Sequence, residues 1–73
     1  MSEPVDVPIS DDQIKLGQFL KLADLIESGA EAKTVIAAGL VRVNDEVELR
    51  RGRQLQSGDV VTMAGRQVRV SGA

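Results

Sequence analysis

Arg50, Arg51 and Arg53, hinged by Gly52, are the densest chemistry in the chain. Three guanidinium groups within four residues offer planar forks of N–H donors that fit phosphate oxygens two at a time. The plainer reading is that they pair with Glu46 and Glu48 or simply face water, and on these residues alone the two readings weigh the same. Lys33 is the next candidate. At helical spacing it shares a face with Ala30, Thr34 and Ala37, short side chains that let a bulky, flat partner come close, although an ordinary exposed lysine accounts for it too. Lys21 on the wet side of a helix, and Lys15 just ahead of it, extend the basic set; Asp24 and Glu27 offer them ordinary salt pairing. Arg42, Arg66 and Arg69 fall on strand or turn positions facing solvent and weigh less.

What the chain lacks narrows the chemistry. It has no histidine and no cysteine, which excludes Ser–His and Cys–His nucleophiles, zinc sites of the usual kind, and disulfides. No Gly-x-x-x-x-Gly-Lys phosphate loop occurs. The acid pairs Asp11/Asp12 and Asp45/Glu46 read as solvated tail and turn charges. The expectation is a protein without catalysis, metal or cofactor. Phe19 is the only aromatic residue, and its spacing assigns it to the core. Modules that read single strands stack bases on exposed aromatics. A nucleic-acid partner here would instead be held by phosphates, 2′-hydroxyls and folded shape, with weak sequence readout.

The net charge of −2 looks wrong for such a partner, but the charge is polarised along the chain. Residues 1–12 hold Glu3, Asp6, Asp11 and Asp12 and no base; the remaining seven acids face nine bases, so residues 13–73 carry +2. From Arg50 onward there are five arginines and one acid, Asp59. The division expected is an acidic flexible tail over residues 1–12 and a single domain over residues 13–73. The tail could fold back on the arginines, or only keep the protein soluble. No basic n-region or long apolar run marks a secretory leader or a membrane span, and a cytoplasmic location is expected.

The elements that position these residues follow from periodicity. A chain of 73 residues buries only ~60% of the surface it exposes when unfolded, so a thin aliphatic core is expected. Within 1–12, Val5, Val7 and Ile9 alternate, which keeps a short edge strand open despite Pro8. Leu16, Phe19, Leu20 and Ala23 mark the buried face of a helix over Leu16–Ile26, widened by Leu22, Leu25 and Ile26. Ser28 and Glu31 form a capping-box pattern for a second helix, with Ala32, Val35 and Ile36 inward and Gly39 at its left-handed end. With almost no linker, the two must pack as a helix–turn–helix pair. The period then changes to two. Val41 and Val43 lead through Asn44-Asp45 to Val47 and Leu49 as a hairpin. After the turn Gln56–Asp59, Val60–Met63 and Gln67–Val70 form two further strands. The class predicted is α+β: two short packed helices followed by a small, mostly antiparallel sheet.

Three stretches together resemble a known family: Ser28-Gly29-Ala30-Glu31-Ala32-Lys33, Ala38-Gly39-Leu40-Val41-Arg42-Val43-Asn44, and Ser57-Gly58-Asp59-Val60-Val61. They are similar to the S-four RNA-binding domain, or alpha-L motif, over about residues 14–64. Leu16–Leu22 and Arg50–Arg53 look like a subgroup of small stand-alone bacterial members associated with ribosomes or RNA. Gly29 stands where many members carry arginine, Lys33 replaces the usual arginine, and Asn44-Asp45 replaces Asn-Gly. The resemblance implies a non-catalytic binder of structured RNA, ribosomal RNA or a ribosomal particle foremost, with Lys15, Lys21, Lys33, Arg50, Arg51 and Arg53 as contacts. The competing reading, supported by a pI near 4.9, is a protein-interaction module whose charges serve solubility.

Overall fold

The computed structural model describes residues 4–72. Its elements are β1 (Val5–Pro8), β2 (Gln13–Lys15), α1 (Leu16–Leu22), α2 (Gly29–Ala37), β3 (Val41–Val43), β4 (Glu46–Val47), β5 (Gln54–Gln56), β6 (Val60–Met63) and β7 (Arg66–Ser71). The predicted α+β class is the observed one. Five strands form one sheet in the order β1-β7-β6-β3-β4, and β2 and β5 form a separate antiparallel pair. All pairings but one are antiparallel; β1 runs parallel to β7. One sheet face turns Val41, Val43, Val61, Val68 and Val70 onto Leu16, Phe19, Leu20 and Ile36 of the helices, all of them buried. Among the described residues no helix is long and apolar enough to cross a membrane.

Where the sequence reading favoured a flexible tail, the structure has the edge strand. Val5–Pro8 pairs with Val68–Ser71, and Ile9 is buried in the core with its N–H on the Ser71 carbonyl at 2.9 Å. Alternation is obeyed because Val7 faces inward while Pro8 closes the edge, where its missing N–H costs nothing. Met1, Ser2 and Glu3, which belong to the same expected tail, lie outside the described residues.

The first helix ends four residues earlier than its apolar stripe. Asp24 takes φ +62°, its N–H reaches the Lys21 carbonyl at 3.1 Å, and the Leu25 N–H reaches Leu20 at 3.0 Å. Those two bonds are a Schellman termination, with aspartate in the place usually held by glycine. Leu25 and Ile26 still enter the core from the turn, whereas Leu22 is 51% exposed. A real connection, residues 23–28, therefore separates the helices. The second helix follows the prediction more closely. Ser28 Oγ accepts the Glu31 N–H at 3.3 Å, and Gly39 at φ +76° closes a second Schellman motif through Ile36 and Val35. Glu31 Oε1 accepts from the Glu27 N–H at 2.8 Å, one residue before the usual capping-box partner.

The hairpin β3–β4 corrects a facing. Asn44 and Asp45 both take positive φ, which makes a two-residue type I′ turn that pairs Val43 with Glu46 and Arg42 with Val47. Val41 and Val43 point inward, so that register turns Val47 outward and brings Glu48 to the inner face. Val47 and Leu49 are accordingly 50% and 62% exposed, and Glu48 is the buried residue.

Candidate nucleic-acid interface

The basic loop is held by backbone before any side chain is considered. Lys15 pairs with Gln54 at the end of the β2–β5 ladder. The chain then enters α1, whose first two N–H groups have no intrahelical partner. Leu16 donates to the Arg53 carbonyl at 2.8 Å and Gly17 to the Arg51 carbonyl at 3.1 Å. The loop carrying the arginines is thus fastened to the start of the helix carrying Lys15 and Lys21. Neither β2 nor β5 was expected from the sequence, yet they make the junction.

Glu48 organises the loop from beneath. Its carboxylate accepts Arg53 Nη1 at 2.9 Å on one oxygen, and both the Arg50 N–H and Arg50 Nε at 3.2 Å on the other. The Arg53 hydrogen bond, aided by Arg50, outweighs the burial that pushes the other way and lowers the Glu48 pKa to about 2. The carboxylate is therefore ionised throughout the neutral range. Two of the three arginines thus follow the salt-pairing alternative. They are not occupied equally: the Arg50 side chain stays 79% exposed, whereas that of Arg53 is 32% exposed.

Arg51 points elsewhere. It lines a cleft of about 380 Å³ together with Lys15 and Lys21, and Gly17, Gly29, Gly52 and Ala32 keep its walls low. A Cβ on Gly17 would lie 3.8 Å from both Ala32 Cβ and the Arg51 carbonyl, so glycine leaves room on the floor rather than relieving a clash. Lys15, Lys21 and Arg51 make no side-chain hydrogen bond or ion pair among the described residues. Asp24 and Glu27, weighed above as their partners, do not pair with them.

Lys33 does not line the cleft. It lies one helical turn beyond Gly29 on the same side of α2, exposed and without a partner among the described residues. Arg50 and Arg53 line a separate concavity with Gly52 and Gln54. Arg69 Nε donates to Asp6 at 2.7 Å, so one acid of the expected tail does meet a C-terminal arginine, across the sheet rather than at the loop. Sequence reasoning missed Gln18, one turn from both Lys15 and Lys21 and part of the cleft wall; its i, i+3 spacing was the available signal.

Two of the residues that carried the family resemblance, Asn44 and Asp59, do a different job. Asn44 donates to Asp59 Oδ1 at 3.1 Å and accepts the Val60 N–H at 3.0 Å, while Asp59 Oδ2 accepts the Gln56 N–H at 2.9 Å. They tie the β3–β4 turn to the turn before β6 and reach no part of the cleft lining.

Comparison with known proteins agrees with this architecture. A family model described as S4 domain matches residues 7–71. The chain is 51% identical over 65 residues to "Probable ribosome maturation protein RlbA" of Bacillus subtilis (strain 168), covering 89% of each chain. It is 42% identical over 57 residues to "Putative RNA-binding protein YbcJ" of Escherichia coli (strain K12), covering 78% of this chain and 81% of that one. The solution structure of E. coli YbcJ, described as revealing an alfaL motif involved in RNA-binding, superposes with a TM-score of 0.71 at 36% identity, over 97% of this chain and 91% of that one. With the fold, the motif residues and these relatives in agreement, the chain belongs to the S4 domain family.

Proposed function

We propose that this chain is a non-catalytic, cytoplasmic RNA-binding protein that grips structured RNA, ribosomal RNA foremost, through its phosphates and shape. The observation that carries this reading is the convergence of three unpaired cations, Lys15, Lys21 and Arg51, on one glycine-walled cleft. A phosphate entering it meets a guanidinium fork and two ammonium groups with no carboxylate bonded to any of them. Arg50 and Lys33 flank the cleft as further contacts, and Arg53 contributes mainly through its bond to Glu48. The ribosomal partner is suggested by the name of the B. subtilis relative and the RNA by that of the E. coli relative.

The test is titration of a structured ribosomal RNA fragment at two ionic strengths, with wild type and with Lys15, Lys21 and Arg51 all changed to Ala. The expected result is tight, salt-sensitive binding that the variant loses, because each neutralised phosphate releases counterion. Equal binding by both proteins would move the interface away from the cleft. No binding to any structured RNA at low salt would end the RNA reading. Equal affinity for unrelated structured RNAs would remove only the ribosomal preference.

A protein-interaction module remains the second reading, favoured by Leu40, Val47 and Leu49, which are 58%, 50% and 62% exposed near the β4 edge of the sheet. Under it, a partner copurifying with the chain survives nuclease treatment and is lost from a Leu40/Leu49→Ser variant; removal of every partner by nuclease would count against it.

A further inference from the structure

Beside the cleft, sharing its Gln18 and Lys21 wall, lies a second concavity of about 630 Å³, within the size range of small-molecule sites. Its apolar surface comes from Ile9, Ile14 and Leu22, and its polar rim includes Asp11, Gln13 and Gln18. Two features are out of place on a surface that only grips phosphate. Leu22 stands 51% exposed on a helix face otherwise given to Gln18 and Lys21. Asp11 lines the same concavity as Lys21 without forming an ion pair with it, and so places a negative charge where a backbone phosphate would be repelled. A carboxylate next to a cationic cleft suits a ligand that carries its phosphate on one side and hydrogen-bond donors on the other.

We propose that this concavity receives one unpaired guanine base, extruded from the RNA whose adjoining phosphate occupies the Lys15–Lys21–Arg51 cleft. The proposal rests on the reading of that cleft as an RNA grip and deepens it. The flat base lies on the aliphatic side chains of Ile14 and Leu22, in a chain with no exposed aromatic to stack it. Unpaired nucleotides are the part of a structured RNA whose Watson–Crick edge is open to side chains. Guanine is the base whose edge places two donors, N1–H and the N2 amino group, side by side, and a carboxylate accepts both. Adenine and cytosine set an acceptor beside their single amino group, and uracil flanks one N–H with two carbonyls, so each turns a lone pair toward Asp11. The Gln13 and Gln18 amides supply donors for the guanine O6. Lys21, on the wall between the two hollows, stands at the phosphate that joins the base to the chain.

The experiment uses five hairpin RNAs identical except for one bulged nucleotide (guanosine, adenosine, cytidine, uridine or none), titrated with wild type, Asp11→Asn and Leu22→Gln. Both replaced side chains are exposed, so the fold should persist. Wild type is expected to bind the guanosine bulge about 10-fold more tightly than the others, the discrimination of one good bidentate contact. Asp11→Asn should abolish that preference while binding the unbulged hairpin as well as wild type or better, since it removes a negative charge. Leu22→Gln should weaken all four bulged RNAs and leave the unbulged one unchanged. Affinities of wild type within twofold across the four bulges, or a guanosine preference that survives Asp11→Asn, would overturn the guanine site and leave the phosphate grip standing. Failure to bind any hairpin at low salt would overturn both.

Discussion

The Asn44–Asp59 junction and the Lys15–Lys21–Arg51 cleft are both made of polar side chains near the surface, and they differ in what those side chains touch. At the junction Asn44 and Asp59 bond each other and the backbone N–H groups of Val60 and Gln56. At the cleft no cation has a partner among the described residues. Polar groups saturated within the chain hold the fold; polar groups left unsaturated are available to something outside it. Glu48 belongs to both regimes, since it uses one face of the basic loop for structure and leaves Arg51 on the other.

The largest expected effect tests the cleft. Replacing Lys15, Lys21 and Arg51 together by Ala should weaken RNA binding roughly 100-fold, at about 1 kcal/mol per solvent-exposed ion pair, and flatten the plot of log affinity against log salt by about 2–3. Urea unfolding should move by no more than ~0.5 kcal/mol, as for ordinary surface changes. A collapse in stability would break the comparison. The junction should give the converse. Asp59→Ala removes two side-chain hydrogen bonds and should lower unfolding free energy by about 2 kcal/mol, with the salt slope of RNA binding unchanged wherever the protein is folded.

Glu48→Gln should fall between. Its arginines can rehydrate, so a loss of ~1–2 kcal/mol is expected rather than the larger cost of stranding a buried charge. Because the folded-state pKa is depressed from 4.5 to about 2, the carboxylate's contribution is complete above pH 4.5 and drains away as pH falls toward 2. Acid titration of stability should therefore be shallower for Glu48→Gln than for wild type in that window; parallel curves would show that the ion pairs add nothing. The smallest effect sharpens the scaffold side. The β6–β7 hairpin is also a type I′ turn, but Ala64 occupies the first left-handed position at φ +52°, where Asn44 sits in the other hairpin. Ala64→Asn should stabilise by roughly 0.5 kcal/mol, read as a small rise in Tm.

Much of the scaffold was legible in the sequence. Periodicity located the faces of both helices, Ser28 marked the start of α2 and Gly39 its end, and Asn44-Asp45 marked a turn. The misses have particular causes. Asp24 at a left-handed position carries a weaker signal than glycine, so the apolar stripe ran on through Leu25 and Ile26. Strands β2 and β5 are three residues long with one apolar residue each, too little alternation to register. The facing of Glu48 was available: a two-residue turn with Val41 and Val43 inward commits Glu48 to the inner side, and the pull of Val47 and Leu49 obscured it. Of the proposed contacts, Lys15, Lys21 and Arg51 meet because β2–β5 and two backbone hydrogen bonds bring them together. No local pattern announces such long-range junctions. Arg50 and Arg53 meet Glu48, one of the two partners the sequence offered them, and only its turn to the inner face went unread.

The parallel pairing of β1 with β7 has a consequence for how the chain acquires its shape. Val5 faces Val68 across nearly the whole length of the polypeptide, and Ile9 reaches the core only when the Ser71 carbonyl is there to receive it. Strand β1 must wait for β7 before it finds its place. An N-terminal fragment ending after the helices has neither that edge nor the β5 ladder that fastens α1, and it exposes Phe19 and Leu20 in the meantime. Closure of so long a loop is paid late and all at once. During synthesis the domain should therefore become compact only once β7 has been made and β1 can seat against it.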